Sequence, residues 1–241
     1  MKLVIFAGGL GSRLSEETKL KPKPLVLIGN KPIIWHIMKL YDHYGIKEFI
    51  ICGGYKYKYL LNYFNTIKQE INRSNWKVKV VNTGLKTMTG GRLKRVAHFL
   101  DDTEDFCLTY GDGLCNVNIA KLILFHKRHK KLATVLAVNP PARFGSLLIK
   151  KNIVEKFEEK PIQSDNWING GFFVLSKKVI KFIKNDNSIW EKQPLQIISN
   201  KKQLVAFKHK DFWAAMDTLR EKIFLEKLLK KKQAPWKIWK N

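Results

Sequence analysis

Residues 2–25 read KLVIFAGGLGSRLSEETKLKPKPL. The opening KLVIFA is a short apolar run stopped by glycine, which predicts a buried strand over residues 2–7. Gly8, Gly9 and Gly11 follow at once, with Arg13, Lys21 and Lys23 close behind. Glycines let backbone N–H groups approach an anion, and a following basic side chain adds charge. In open α/β sheets, ligands bind beyond the C-terminal ends of the strands, which is where GGLGSR falls. Two familiar phosphate loops are excluded. The Walker motif requires Gly-Lys-Ser/Thr where this chain has Gly11-Ser12-Arg13, and the dinucleotide fingerprint requires a third glycine where Arg13 stands. A glycine turn alone serves equally as a tight strand-to-helix connection. KPKPL makes this one more informative. Its two X-Pro bonds predict extended backbone, with Lys21 and Lys23 on opposite sides, one toward the site and one toward solvent.

Working outward, strands and helices alternate. A helix is expected from about Pro32, ended by Gly45 at C′, then the strand EFIICGG, a helix over 55–72 and the strand WKVKVVN. GGRLKRVAHFL reads as a helix, DFCLTYGDG as a strand entering a turn, VNIAKLILFHKRHKK as a helix and LATVLAV as a strand. This alternation predicts an α/β fold with a mainly parallel, Rossmann-like sheet and helices on both faces. After Pro140 and Pro141 the rhythm shifts to shorter, antiparallel-prone strands. WINGGFFVL is a strong strand, residues 176–184 a helix, and TLREKIFLEKLLKKK a closing amphipathic helix. The expected organisation is one domain over 1–241. It comprises a nucleotide-binding half (1–139), an acceptor-binding half with a small antiparallel extension (140–217), and a C-terminal helix and tail (218–241).

Composition sets the outer limits. The chain has 241 residues, 45% of them hydrophobic, which is ample for one core. No apolar run reaches the length of about 18 residues that a membrane span needs, and the first apolar stretch is too short for a signal peptide. Cys52, Cys107 and Cys115 are odd in number and lack CxxC spacing; Cys52 and Cys107 sit in apolar strand-like runs and are expected as buried thiols, in a reducing cytoplasm. The net charge of +25 is spread along the chain rather than blocked. It suits polyphosphate substrates, and no nucleic-acid motif accompanies it.

Chemistry-bearing residues sit at the predicted strand ends. Asp112 lies in TYGDG, Asp217 in FWAAMDT, and Glu158, Glu159 and Lys160 in FEEKP. Taken singly, Asp112 is also a turn former and Asp217 a candidate helix N-cap. Together they suit a metal–phosphate site, because Mg²⁺ commonly uses one or two carboxylates plus phosphate oxygens and water. His126 and His129 are helix neighbours that no nearby acid or cysteine completes, and they read as half-buried helix residues.

AGGLGSRL with KPKPL resembles the signature of the sugar nucleotidyltransferases. SEETKLKPKPL, TGLKTMTGGRLKR, TYGDG, FEEKP, WINGGFFVLS, FWAAMDTLREK and APWKIW resemble one subfamily, the glucose-1-phosphate cytidylyltransferases. The resemblance runs in order along nearly the whole chain. It implies a cytoplasmic homo-oligomer that uses Mg²⁺, CTP and a sugar 1-phosphate to make CDP-glucose and pyrophosphate for cell-surface polysaccharide. It also implies roles at matching positions. Gly8, Gly9, Gly11, Ser12 and Arg13 bind the triphosphate, and Lys23 neutralises the α-phosphate. Asp112 and Asp217 hold the metal. Gly91 and Arg92 read the base, with Tyr110 and Gly111 near the nucleoside. Lys160 binds the sugar phosphate, with Glu159, Asn169 and Gly170 near the sugar.

The chain departs from the pattern in a short segment between Phe64 and Trp76, in Gln193 where Glu is common, and in Ala214 and Ala215. These leave open a cytidylyltransferase with another phosphorylated acceptor. A non-catalytic nucleotide-binding protein is disfavoured by the joint presence of Arg13, Lys23, Asp112, Lys160 and Asp217.

Overall fold

β1 (Lys2–Ala7) lies inside a seven-stranded sheet. Its neighbours are β2 (Glu48–Gly53) and β4 (Asp105–Tyr110), both parallel to it. β3 (Lys77–Asn82) extends the sheet beyond β2, again parallel. Beyond β4 come β9 (Ile168–Ser176), β6 (Ala133–Val138) and β10 (Leu204–His209). β9 runs antiparallel to both neighbours, and β10 runs parallel to β6. The computed structural model describes residues 1–139, 146–158 and 167–239. Among the described residues three short antiparallel pairs stand outside this sheet, one of them Leu27–Ile28 with Lys31–Pro32. β7 (Ser146–Lys150) pairs with β8 (Ile153–Glu158), and β5 (Gly113–Cys115) pairs with β11 (Trp213–Ala215). The α/β fold with a mainly parallel sheet and a small antiparallel extension is therefore present.

β1 is apolar at successive positions because both faces of the sheet are covered. Leu3, Ile5 and Ala7 join one core with α1 (Ile33–His43), while Val4 and Phe6 join another with α4 (Thr89–Val96). Gly45 ends α1 at C′ with φ of +80°. The free thiols of Cys52, Cys107 and Cys115 are buried in these cores, and burial pushes each up to about 12.

Local departures from the sequence expectation have local causes. The helix expected over 55–72 breaks at Ile67 into α2 (Tyr57–Thr66) and α3 (Lys68–Arg73). At the break, Trp35 Nε1 and Lys31 Nζ both donate to Glu70, at 2.6 and 2.7 Å, which turns α3 onto the start of α1. Residues 177–182 form a 3₁₀ helix rather than an α-helix. α5 (Ile119–His129), α6 (Gln193–Asn200) and α7 (Leu219–Lys230) complete the helices used below. Gln193 opens α6, and Ala214 and Ala215 lie within β11.

The tail after α7 packs on α1 through aromatic side chains. Trp236 Nε1 donates to His36 Nδ1 at 3.4 Å, and His36 Nε2 lies 3.0 Å from the Ile28 carbonyl. Burial pushes His36 down to about 4, so the imidazole is neutral and carries its proton on Nε2. Among the described residues no helix is long and apolar enough to cross a membrane.

Candidate active site

β1 is parallel to β2 on one side and to β4 on the other, so the loops leaving β1 and β4 diverge and open a crevice at the C-terminal sheet edge. Gly111 N–H donates to the Phe6 carbonyl at 2.9 Å and holds the two strand ends together. A cavity of about 240 Å³ lies there. Gly9, Gly11, Ser12 and Arg13 line it from the first loop, and Lys23, Tyr110, Gly111, Asp112 and Thr89 line its other walls.

Lys23 is at its centre. Pro22 is extended as expected, but Lys23–Leu25 curls into one 3₁₀ turn, closed by Val26 N–H on the Lys23 carbonyl at 3.0 Å. That turn aims the ammonium at two carboxylates, Asp112 Oδ2 at 2.6 Å and Asp217 Oδ1 at 2.5 Å. Lys21 faces away and pairs with Glu17 at 3.5 Å. Burial alone would push Lys23 below its ordinary value. The charges and hydrogen bonds of Asp112 and Asp217 outweigh it and hold the ammonium higher. Arg13 reaches Asp217 Oδ2 at 2.9 Å from an exposed position.

The two carboxylates meet because β5 and β11 pair. Ala215 stands opposite Gly113, and Met216 N–H donates to the Asp112 carbonyl at 2.9 Å. Asp217 is not the helix N-cap. Thr218 takes that role in a capping box with Glu221, leaving Asp217 one residue earlier to face Lys23.

Other expected site residues have more structural surroundings. Arg92 is buried. Its guanidinium donates to the carbonyls of Gly53 (3.1 Å), Gly84 (2.9 Å) and Gly8 (3.0 Å) and to the Thr83 hydroxyl (2.7 Å). It thus cross-links the loops after β1, β2 and β3. Gly8 contributes its carbonyl to this cluster, and Gly91 packs against Asp186. Neither Gly91 nor Arg92 is among the described residues lining the cavity. Removing the guanidinium leaves buried acceptors without donors. We expect Arg92→Met to lower stability by about 2–4 kcal/mol and, through the loosened glycine loop, to weaken nucleotide binding as well. Thermal melting and calorimetry check this. A variant that binds nucleotide poorly yet melts like the wild type would return Arg92 to direct base contact.

On the acceptor side, Gly170 and Gly171 interrupt the register between β9 and β6. Gly171 has φ of +77°, and a Cβ there would sit 2.4 Å from Tyr110 Cδ2. Across the irregularity Asn169 Oδ1 accepts from Gly171 N–H at 2.8 Å, and Gly171 packs against the Tyr110 ring. Glu159 and Lys160 lie outside the described residues. His126 and His129 share one partner, Thr134 Oγ1, at 2.8 and 2.7 Å. Among the described residues no group of three or more His, Cys, Asp or Glu side chains gathers to hold a metal. Sequence reasoning passed over Thr89, which lines the cavity, and Glu191, which it binds at 2.7 Å.

A nucleotidyl transferase family model matches residues 2–221. The glucose-1-phosphate cytidylyltransferase of Salmonella typhimurium is 50% identical over 256 aligned residues, covering 99% of this chain and 100% of that protein. The mannose-1-phosphate guanyltransferase of Saccharomyces cerevisiae is 30% identical over 233 residues, covering 93% of this chain and 63% of that protein. Among solved structures, HddC from Yersinia pseudotuberculosis complexed with GMP-PN is 26% identical and superposes with a TM-score of 0.72, covering 95% of this chain and 99% of that one.

Proposed function

The chain belongs to the nucleotidyl transferase family, and we propose that it joins CTP to glucose 1-phosphate, giving CDP-glucose and pyrophosphate, with Mg²⁺ held by Asp112 and Asp217. The observation that carries the reading is the Lys23 ammonium bracketed by those two carboxylates at the mouth of a glycine loop. The donor set fits the metal. Two carboxylates from adjacent strands already converge on one positive charge, and Mg²⁺ commonly completes such a pair with phosphate oxygens and water. When bound, the ion supplies Lewis-acid charge to the phosphate oxygens.

The chain's own residues do the rest. Gly9, Gly11, Ser12 and Arg13 face the triphosphate. An oxygen of the sugar phosphate attacks the α-phosphorus, and the bond from that phosphorus to the pyrophosphate oxygen breaks. No side chain needs to become covalently attached. Lys23 brings a permanent positive charge to the α-phosphate where negative charge builds up, which is the kind of stabilisation that transfers of this class depend on. Asn169, held by Gly171 N–H beside Tyr110, faces the sugar. The phosphate contact of Lys160, the sugar contact of Glu159, a homo-oligomeric assembly and a cytoplasmic location belong to the same reading and rest on the family pattern.

The direct test supplies Mg²⁺, each of the four nucleoside triphosphates in turn, and a panel of sugar 1-phosphates, and measures pyrophosphate. CTP with glucose 1-phosphate is expected to give the highest kcat/KM. Release with another sugar phosphate but not with glucose 1-phosphate would overturn the acceptor. No release with any pair would overturn the reaction.

A further inference from the structure

Glu191 stands in none of the motifs above, yet both of its carboxylate oxygens are engaged at the edge of the cavity. It follows the loop of residues 185–190, which lies directly on α4. Gly91 allows the approach, because a Cβ there would sit 2.5 Å from Asp186 Cα. Met88 N–H donates to the Asp186 carbonyl at 2.8 Å and Gly91 N–H to the Ser188 carbonyl at 3.1 Å. Trp190, fully buried, anchors the end of the loop. Glu191 is thereby delivered against Thr89 and Tyr110, two residues that line the cavity.

The hydrogen bonds have a single direction. Thr89 Oγ1 donates to Glu191 Oε2 at 2.7 Å, and Tyr110 Oη donates to Glu191 Oε1. Thr89 Oγ1 also accepts one bond, from Trp190 N–H at 2.9 Å, and the Tyr110 ring packs against Gly171 in the irregularity of β9. A hydroxyl has one proton to give, and an ionised carboxylate only accepts. Both hydroxyl protons are therefore directed at Glu191, that of Thr89 held in place by Trp190 N–H and that of Tyr110 by packing on the irregularity that carries Asn169. Thr89 opens α4 in the nucleotide half, and Tyr110 packs on β9 in the acceptor half.

We propose that Glu191 is a positioning residue of the transfer reaction: by fixing Thr89 and Tyr110, and with Tyr110 the irregularity of β9 that carries Asn169, it sets the spacing between the bound nucleotide and the sugar phosphate. Glu191 acts through these neighbours and touches neither substrate. The proposal rests on the reading above, in which the Asn169 side of the cavity meets the sugar. A transfer that proceeds by alignment is sensitive to small displacements, and a shift of about 1 Å can cost about 100-fold in rate.

Glu191→Gln is the test, because it preserves shape and removes the acceptor-only character. The amide nitrogen brings a donor to one hydroxyl that is itself a donor, so that arm has to turn or break. The expected result is a 10–100-fold fall, roughly, in kcat per folded molecule, with the Kd for CTP by calorimetry within about threefold of wild type. Tyr110→Phe removes one arm and should give a fall of the same order. If the network works as a unit, adding Tyr110→Phe to Glu191→Gln costs little more than either change alone. A purely structural role would lower the melting temperature and leave kcat of the folded fraction unchanged. That outcome, or strictly multiplicative losses in the double variant, would overturn the proposal. Should Glu191→Gln fail to fold, Tyr110→Phe and Thr89→Ala carry the test, each expected to lower kcat about tenfold or more. Wild type active only on another sugar phosphate overturns the assigned acceptor, and the variant-to-wild-type ratio on that sugar still decides Glu191. Wild type active on none of them overturns both.

Discussion

Asp112→Asn and Asp217→Asn are each expected to lower kcat by about three orders of magnitude at saturating Mg²⁺ while the protein stays folded. The loss reflects the charge removed. Metal and phosphate charge stabilisation of this kind is worth several kcal/mol, and about 4 kcal/mol corresponds to a rate factor of about 1000. Asparagine keeps the size of the side chain and one oxygen acceptor, so the contact with Lys23 at 2.5–2.6 Å has a substitute and the strand pair β5–β11 is untouched. Melting should move by no more than a few degrees, on the order of 1 kcal/mol. Two measurements separate chemistry from folding. Turnover is followed across a Mg²⁺ titration, and the rise in melting temperature on adding Mg²⁺ is recorded with nucleotide present. Both should shrink in each variant. Near wild-type turnover in either would remove that residue from the metal assignment.

Lys23→Ala should cost turnover rather than nucleotide affinity. We expect kcat to fall by about 100- to 10,000-fold with KM for CTP changed less than tenfold, since the charge is needed most as the α-phosphate is attacked. Burial alone would push the ammonium down, but Asp112 and Asp217 hold it above its ordinary value of 10.5. Lys23 therefore stays charged through neutral and mildly alkaline pH, and no limb of the pH–rate profile in that range should belong to it. Lys23→Arg should not restore the rate, because a planar fork replaces a compact point charge between two carboxylates. A second consequence is independent of turnover. Lys23→Ala leaves the two carboxylates facing each other without the ammonium between them, with Arg13 at 2.9 Å from Asp217. Mg²⁺ should then raise the melting temperature of this variant more than that of the wild type. An equal rise in both would mean that the ammonium and the metal do not compete for the same oxygens.

The sheet was legible because its inner strands are apolar on both faces and are punctuated by glycine. KLVIFA, EFIICGG and DFCLTYGDG mark three adjacent strands, and their C-terminal turns mark the crevice. β10 escaped because LVAFKH is an edge strand with partly exposed residues between lysine-rich flanks, so its apolar signal is weak. The break at Ile67 depends on Trp35 and Lys31 reaching Glu70, contacts that no local pattern announces. In sequence, Asp217 reads as the helix N-cap. The Thr218–Glu221 spacing of a capping box favours Thr218, and only the fold shows that Asp217 is left to turn toward Lys23. Arg92 illustrates the opposite limit. A basic residue beside two glycines looks the same in sequence whether it meets a base or three backbone carbonyls. Glu191 is harder still, since Tyr110 is 81 positions away and Thr89 is 102.

The ion triad at the cavity also has a history in time. Lys23 meets Asp112 across 89 positions of chain and Asp217 across 194. A ribosome delivers these residues in that order, so the lysine waits through most of synthesis for its second carboxylate. β1 can pair with β2 and then β4 while the later chain is still being made, because domains fold largely from the N-terminal side as they emerge. The strand pair that brings Asp217 to the crevice forms only when β11 has appeared, and a contact of such long range is entropically slow. A prematurely terminated chain would therefore hold a glycine loop and a lysine without the geometry to use them. A contact made late in synthesis is thus among the first the chemistry requires, and a half-made molecule has no means of acting on its nucleotide.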